Sequence, residues 1–142
     1  MSITRRRFLQ SSFAAATATC FPISSWARAE PRTLTAGLAS KRLVPGDEYQ
    51  EATVWAYDQT VPGPILRYRK DDWVSIHFKN DLPEGSSIHW HGIRNLNGMD
   101  GVAGLTQPEV APGAEFRYEF PLPDSGTYWY HSHAKTWSQV AR

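Results

Sequence analysis

Four of the five histidines in this 142-residue sequence fall into two tight pairs, His89-Trp90-His91 and His131-Ser132-His133. Along an extended strand, residues i and i+2 project from the same face, roughly 7 Å apart. Each pair therefore presents two imidazoles to one side, with Trp90 or Ser132 turned to the other. Two such strands side by side bring four neutral nitrogen donors to one place, which is how a protein holds a transition metal. An imidazole-only set suits copper, zinc, iron or nickel, and spacing alone does not choose among them. Four donors on one ion make a closed structural centre, whereas four shared among several ions need completion from elsewhere. A zinc enzyme would also need a third ligand or carboxylate and an open water position, and nothing in the sequence supplies one.

These pairs need strands to carry them. Pro- and Gly-rich turns recur at Pro45-Gly46-Asp47, Pro62-Gly63-Pro64, Leu82-Pro83-Glu84-Gly85, Ala111-Pro112-Gly113 and Pro123-Asp124-Ser125-Gly126. Between them, strands are expected at residues 33–38, 52–57, 65–68, 73–79, 87–91, 115–120 and 127–133. About seven strands at this spacing predict an all-β chain, a sandwich or barrel rather than a parallel α/β sheet. The clearest alternation places Val74, Ile76 and Phe78 inward and Trp73, Ser75, His77 and Lys79 outward. His77 thus lies away from the core with no second histidine at i±2, and is read as a surface residue. Phe116, Tyr118 and Phe120 repeat the pattern as core, and Tyr128, Trp129 and Tyr130 are read as walling a core.

The first residues are expected to be a leader. Thr4-Arg5-Arg6-Arg7-Phe8-Leu9-Gln10 is a twin-arginine sequence, followed by a mildly apolar stretch from Phe13 to Ile23 and the small-residue site Ala27-Arg28-Ala29. This predicts Tat export to the periplasm, with cleavage before Glu30 leaving a 30–142 domain. The apolar run is too short and polar to span a membrane. Four of the 15 basic residues and no acidic ones lie in residues 1–29, so the remainder carries 11 basic against 14 acidic groups. That balance argues against nucleic acid or an anionic membrane as partner. The single cysteine, Cys20, falls inside the leader, and Thr17 stands where a lipoprotein signal wants leucine. The mature part therefore has neither a disulfide nor a thiolate ligand.

The run His89-Trp90-His91-Gly92, Met99-Asp100-Gly101-Val102, Leu105-Thr106-Gln107, Ala111-Pro112-Gly113 and Gly126-Thr127-Tyr128-Trp129-Tyr130-His131-Ser132-His133 resembles the first plastocyanin-like domain of multicopper oxidases. Val61-Pro62-Gly63-Pro64 and Asn80-Asp81-Leu82 match earlier landmarks of that domain, so the likeness covers nearly all of the mature chain. It implies a Greek-key β-sandwich of the cupredoxin type and copper as the metal. It further implies His89 as a type 2 copper ligand, His91 and His131 as ligands of one type 3 copper, and His133 as a ligand of the other. Asp100 matches a carboxylate that aids proton delivery near the cluster, while Met99 is read as packing. The family's reaction couples one-electron oxidation of a reductant to four-electron reduction of dioxygen to water. Its trinuclear cluster takes four more histidines from a last domain, and its electron-accepting copper needs a cysteine; this chain has neither. Its end, Gln139-Val140-Ala141-Arg142, comes before the family's domain-closing strand. The chain is accordingly expected to lack its last strand or strands, to be inactive alone, and to tend to self-associate along an unpaired edge. Pro108 stands where eukaryotic laccases commonly carry cysteine, which fits a bacterial member. A copper-sequestering module or a cupredoxin scaffold without turnover is the alternative. The reductant is not readable, because it docks outside this region.

Overall fold

The computed structural model describes residues 27–140. The twin arginines and the apolar stretch to Ile23 lie outside the described residues. Seven strands form among those described: β1 Ala27–Arg28, β2 Arg32–Lys41, β3 Ala52–Tyr57, β4 Asp72–Asn80, β5 His89–His91, β6 Glu115–Pro121 and β7 Trp129–His131. One four-residue helix, α1, Thr136–Gln139, follows the second histidine pair. No described helix is long and apolar enough to cross a membrane.

β4 is the spine. Antiparallel β6 lies along one edge, while β1 and the first half of β2 run parallel along the other. The second half of β2 leaves that edge and pairs antiparallel with β3. β5 and β7 form a separate antiparallel ribbon. The alternation in β4 holds: Val74, Ile76, Phe78 and Asn80 are buried, and the residues between them are half-buried. Together with Leu34, Ile88, Trp90, Tyr118 and Phe120 they make the core. Each such aliphatic or aromatic side chain contributes about 1.5–3 kcal/mol by leaving water.

The number of strands agrees with expectation, but the set differs. Residues 65–68 keep the expected alternation, with Leu66 and Tyr68 packed on the core and Ile65 and Arg67 exposed, yet form no ladder. Alternation reports which side is buried; it does not supply a neighbouring strand to bond with. β1 was not expected, and consists of two exposed residues from the small-residue site.

Asn80 is a fully buried polar hub. Its Nδ2 donates to the carbonyls of Glu84 and Val110 at 2.9 and 2.8 Å, and its Oδ1 accepts from Leu82 N at 3.2 Å. Every hydrogen-bonding position this side chain uses in the core is therefore matched, and the loop leading to β5 is tied to the end of β4.

Candidate metal centre

The β5–β7 register sets His89 opposite His131, Trp90 opposite Tyr130 and His91 opposite Trp129. One face of the ribbon therefore carries His89, His91, Trp129 and His131, and the other carries Trp90 and Tyr130. Trp90 anchors that second face in the core, with its ring 5.4 Å from Tyr118, 5.3 Å from Phe120 and 5.8 Å from Tyr130. Such aromatic pairs contribute about 0.5–1.5 kcal/mol each beyond area burial. The core face thereby fixes which way the imidazole face points.

Two further contacts locate His89 along the ribbon. The buried Tyr118 hydroxyl accepts from Ile88 N at 2.8 Å. On the other side, Gly101 packs so closely that a Cβ there would sit 1.7 Å from the Ile88 carbonyl oxygen. Gly101 also has φ +76°, the left-handed region glycine favours. This close approach delivers the neighbouring Asp100 carbonyl to His89, whose Nδ1–H donates to it at 2.7 Å. That bond selects the tautomer with a bare Nε2. The Asp100 carboxylate lies 3.5 Å from the same Nδ1, so this residue holds His89 through its backbone while its side chain stands alongside.

The second pair is secured from behind. His131 Nδ1–H donates to the Ser132 carbonyl at 2.8 Å, again leaving Nε2 bare. Ser132 and Ser86 hydroxyls both donate to Gln139 Oε1, at 2.5 and 2.9 Å, and Gln139 Nε2 donates to the Gly85 carbonyl at 2.8 Å. Lys135 Nζ reaches Glu84 at 2.7 Å. Helix α1 is thus bolted through Gln139 to the segment preceding β5, and His133 lies between these anchors, just past the end of β7.

The four rings converge. His89 lies 5.5 Å from His91, 5.4 Å from His131 and 5.2 Å from His133, and His131 lies 6.1 Å from His133, measured between ring centroids. One donor atom each from His89, His91 and His131 falls within 4.8 Å of the others. His91 Nδ1 and His131 Nε2 are 3.4 Å apart. That is long for a hydrogen bond, but two nitrogens held at about 2.0 Å by one tetrahedral ion stand about 3.3 Å apart. Burial, with the neighbouring His89, His91 and His133, holds the His131 imidazole below its ordinary pKa, despite the opposing bond to Ser132. The neutral, metal-binding form is therefore favoured near neutrality. An imidazole donor set with two of its rings already oriented by carbonyls fits a first-row transition ion.

His77 lies on β4 and pairs with Glu115 at 2.7 Å, taking no part in the cluster. Met99 packs on the core and accepts from Glu119 N through Sδ at 3.3 Å. Trp129 is a correction. Read as core-walling like Tyr128, which is also exposed, it lies exposed on the imidazole face, stacked on His131 with centroids 4.0 Å apart. Its position two residues before His131 was the available signal, since that spacing puts both side chains on one face. Gly101 and Gln139 carry no such local signal, because their partners are distant in sequence.

Fold and site together define a class, an all-β metal-binding domain carrying an all-imidazole centre on a two-stranded ribbon. Residues 39–142 match the multicopper oxidase family model. Over 97 residues the chain is 43% identical to Laccase-1 of Cryptococcus neoformans var. grubii, covering 66% of this chain and 15% of that protein. Over 123 residues it is 37% identical to copper resistance protein A of Escherichia coli, covering 87% of this chain and 20% of that protein. Among solved structures, a multi-copper oxidase from Pseudomonas thermotolerans superposes with a TM-score of 0.77 at 40% identity, over 83% of this chain and 28% of that one. The chain belongs to the multicopper oxidase family, whose cofactor is copper. It spans a fifth or less of the length of these curated relatives.

Proposed function

We propose that this chain supplies the amino-terminal half of a trinuclear copper site in an exported oxidase that reduces dioxygen to water. The observation that carries the reading is the 3.4 Å approach of His91 Nδ1 to His131 Nε2, with His89 and His133 flanking them. In this reading His91 and His131 share one type 3 ion, His133 serves the other, and His89 serves the type 2 ion. Copper so bound would supply one-electron steps between a reductant and dioxygen. The chain's own residues favour the neutral His131 imidazole by burial, orient His89 and His131 through the Asp100 and Ser132 carbonyls, and keep the Asp100 carboxylate beside His89 as a proton relay. The remaining ligands and the substrate-side copper come from partner domains or another subunit, so this chain alone does not turn over. Export through the Tat pathway to the periplasm rests on the twin-arginine sequence and the small-residue site.

The test is titration of residues 30–142 with Cu(II) by calorimetry and paramagnetic resonance, alongside a phenolic-dye oxidation assay. Binding with nitrogen hyperfine structure is expected in the parent and in His77→Gln, and is lost in a His89→Ala/His131→Ala double variant. Dye turnover by this chain alone would overturn the half-site reading. Absence of Cu(II) binding would leave a scaffold.

A further inference from the structure

His89 and His131 each rest Nδ1–H on a backbone carbonyl. His91 has no such support: it is exposed, and its polar contact among the described residues is the 3.4 Å approach to His131 itself. An imidazole free to turn about its side-chain bonds aims its donor nitrogen poorly, and ordering it on binding costs entropy. The His89 and His131 rings lie 5.5 and 5.6 Å from it, and a further ring packs against it. The Trp129 indole lies across the ladder from His91, with centroids 5.0 Å apart and planes inclined by 32°. The same indole stacks on His131 at 4.0 Å and 26°.

We propose that Trp129 is the positioning residue for His91. Its π face does for that ring what a carbonyl does for the other two, and it holds His91 Nδ1 and His131 Nε2 on a common ion. The geometry explains why a large aromatic side chain, 52% exposed, lies on the polar face of the ribbon rather than in the core. A planar surface bridging two imidazoles gives attractive offset contacts to both and leaves the nitrogen edges open. This assignment rests on the copper reading above in its metal-dependent part only.

Three substitutions test it in the full 142-residue chain: Trp129→Phe keeps a ring, Trp129→Leu keeps apolar cover without one, and Trp129→Ala removes both. In the metal-free chain, nuclear magnetic resonance should show the His91 ring protons shifted by the indole ring current. The shift should vanish in Trp129→Leu and Trp129→Ala and persist in part in Trp129→Phe. Cu(II) affinity should fall roughly tenfold or more in Trp129→Leu and Trp129→Ala, the range for loss of a ligand-orienting group, and less than about threefold in Trp129→Phe. Circular dichroism and the melting temperature confirm that the Leu and Phe variants remain folded. Leu and Phe variants with equal Cu(II) affinity would overturn the proposal. So would unchanged His91 ring shifts in Trp129→Leu, a result independent of metal. If the parent fails to bind Cu(II), the copper reading falls, and the ring shifts still decide whether Trp129 orients His91.

Discussion

Replacing Gly101 with alanine should damage the centre far more than the same change at Gly104, although the two glycines have nearly the same backbone angle. Their φ values are +76° and +78°. An L-residue in that region costs roughly 1–2 kcal/mol wherever it occurs. At Gly104 the new methyl group meets nothing within 4 Å, so that cost is the whole effect. At Gly101 the Cβ would sit 1.7 Å from Ile88 O and 3.0 Å from His89 N, both backbone atoms that cannot swing aside. The loop must therefore retreat by about 1.3 Å or more to regain van der Waals separation, adding about 1–3 kcal/mol of packing loss. The retreat also breaks the 2.7 Å bond from His89 to the Asp100 carbonyl, worth about 0.5–1.5 kcal/mol. The sum is about 3–6 kcal/mol for Gly101→Ala against about 1–2 for Gly104→Ala, within a domain whose whole stability is of order 5–15 kcal/mol. Urea unfolding of the metal-free variants at neutral pH measures both. Gly101→Ala should also weaken Cu(II) binding about tenfold or more through His89. A stability difference between the two variants below about 1 kcal/mol would refute the claim that Gly101 sets the Asp100 carbonyl on His89.

Two more outcomes follow from buried polar groups. Asn80→Ala leaves the Leu82 amide without its partner and takes one of two donors from the Val110 carbonyl, which keeps the Ser86 N–H, and should cost about 1–3 kcal/mol in urea unfolding; a loss under about 0.5 kcal/mol would show that the Leu82 amide finds another partner. Burial raises the phenol pKa of Tyr57 and Tyr68 and pushes Tyr118 and Tyr130 up to about 12 each. A folded state that keeps protons the unfolded chain has released is fully favoured below pH 10 and loses that advantage as pH rises towards 12. The urea midpoint should therefore hold to about pH 10 and fall steeply above it, together with a late rise in phenolate absorbance; an unchanged midpoint at pH 11.5 would contradict the burial assignment.

Local order along the chain was enough to settle the strands that alternate over several residues and the pairing of histidines on them. Val74, Ile76 and Phe78, or His89 and His91, declare a face because a strand repeats every two residues whatever surrounds it. The same rule marks Trp129 as sharing a face with His131, yet an aromatic side chain there reads equally well as core. Only the register of β5 against β7, which sets His91 opposite Trp129, decides that it does not. Which segments pair is a long-range question as well. Residues 65–68 alternate without finding a neighbour, while Ala27–Arg28 gains one from β4. Above all, tertiary structure decided the aim of the imidazoles. His89 is turned by a carbonyl 11 residues away that a close-packed glycine delivers, and the segment after His133 is held by Gln139 across 53 residues to Ser86. Residue type supplies a donor nitrogen, but its direction depends on what packs behind the ring, and those atoms come from distant parts of the chain.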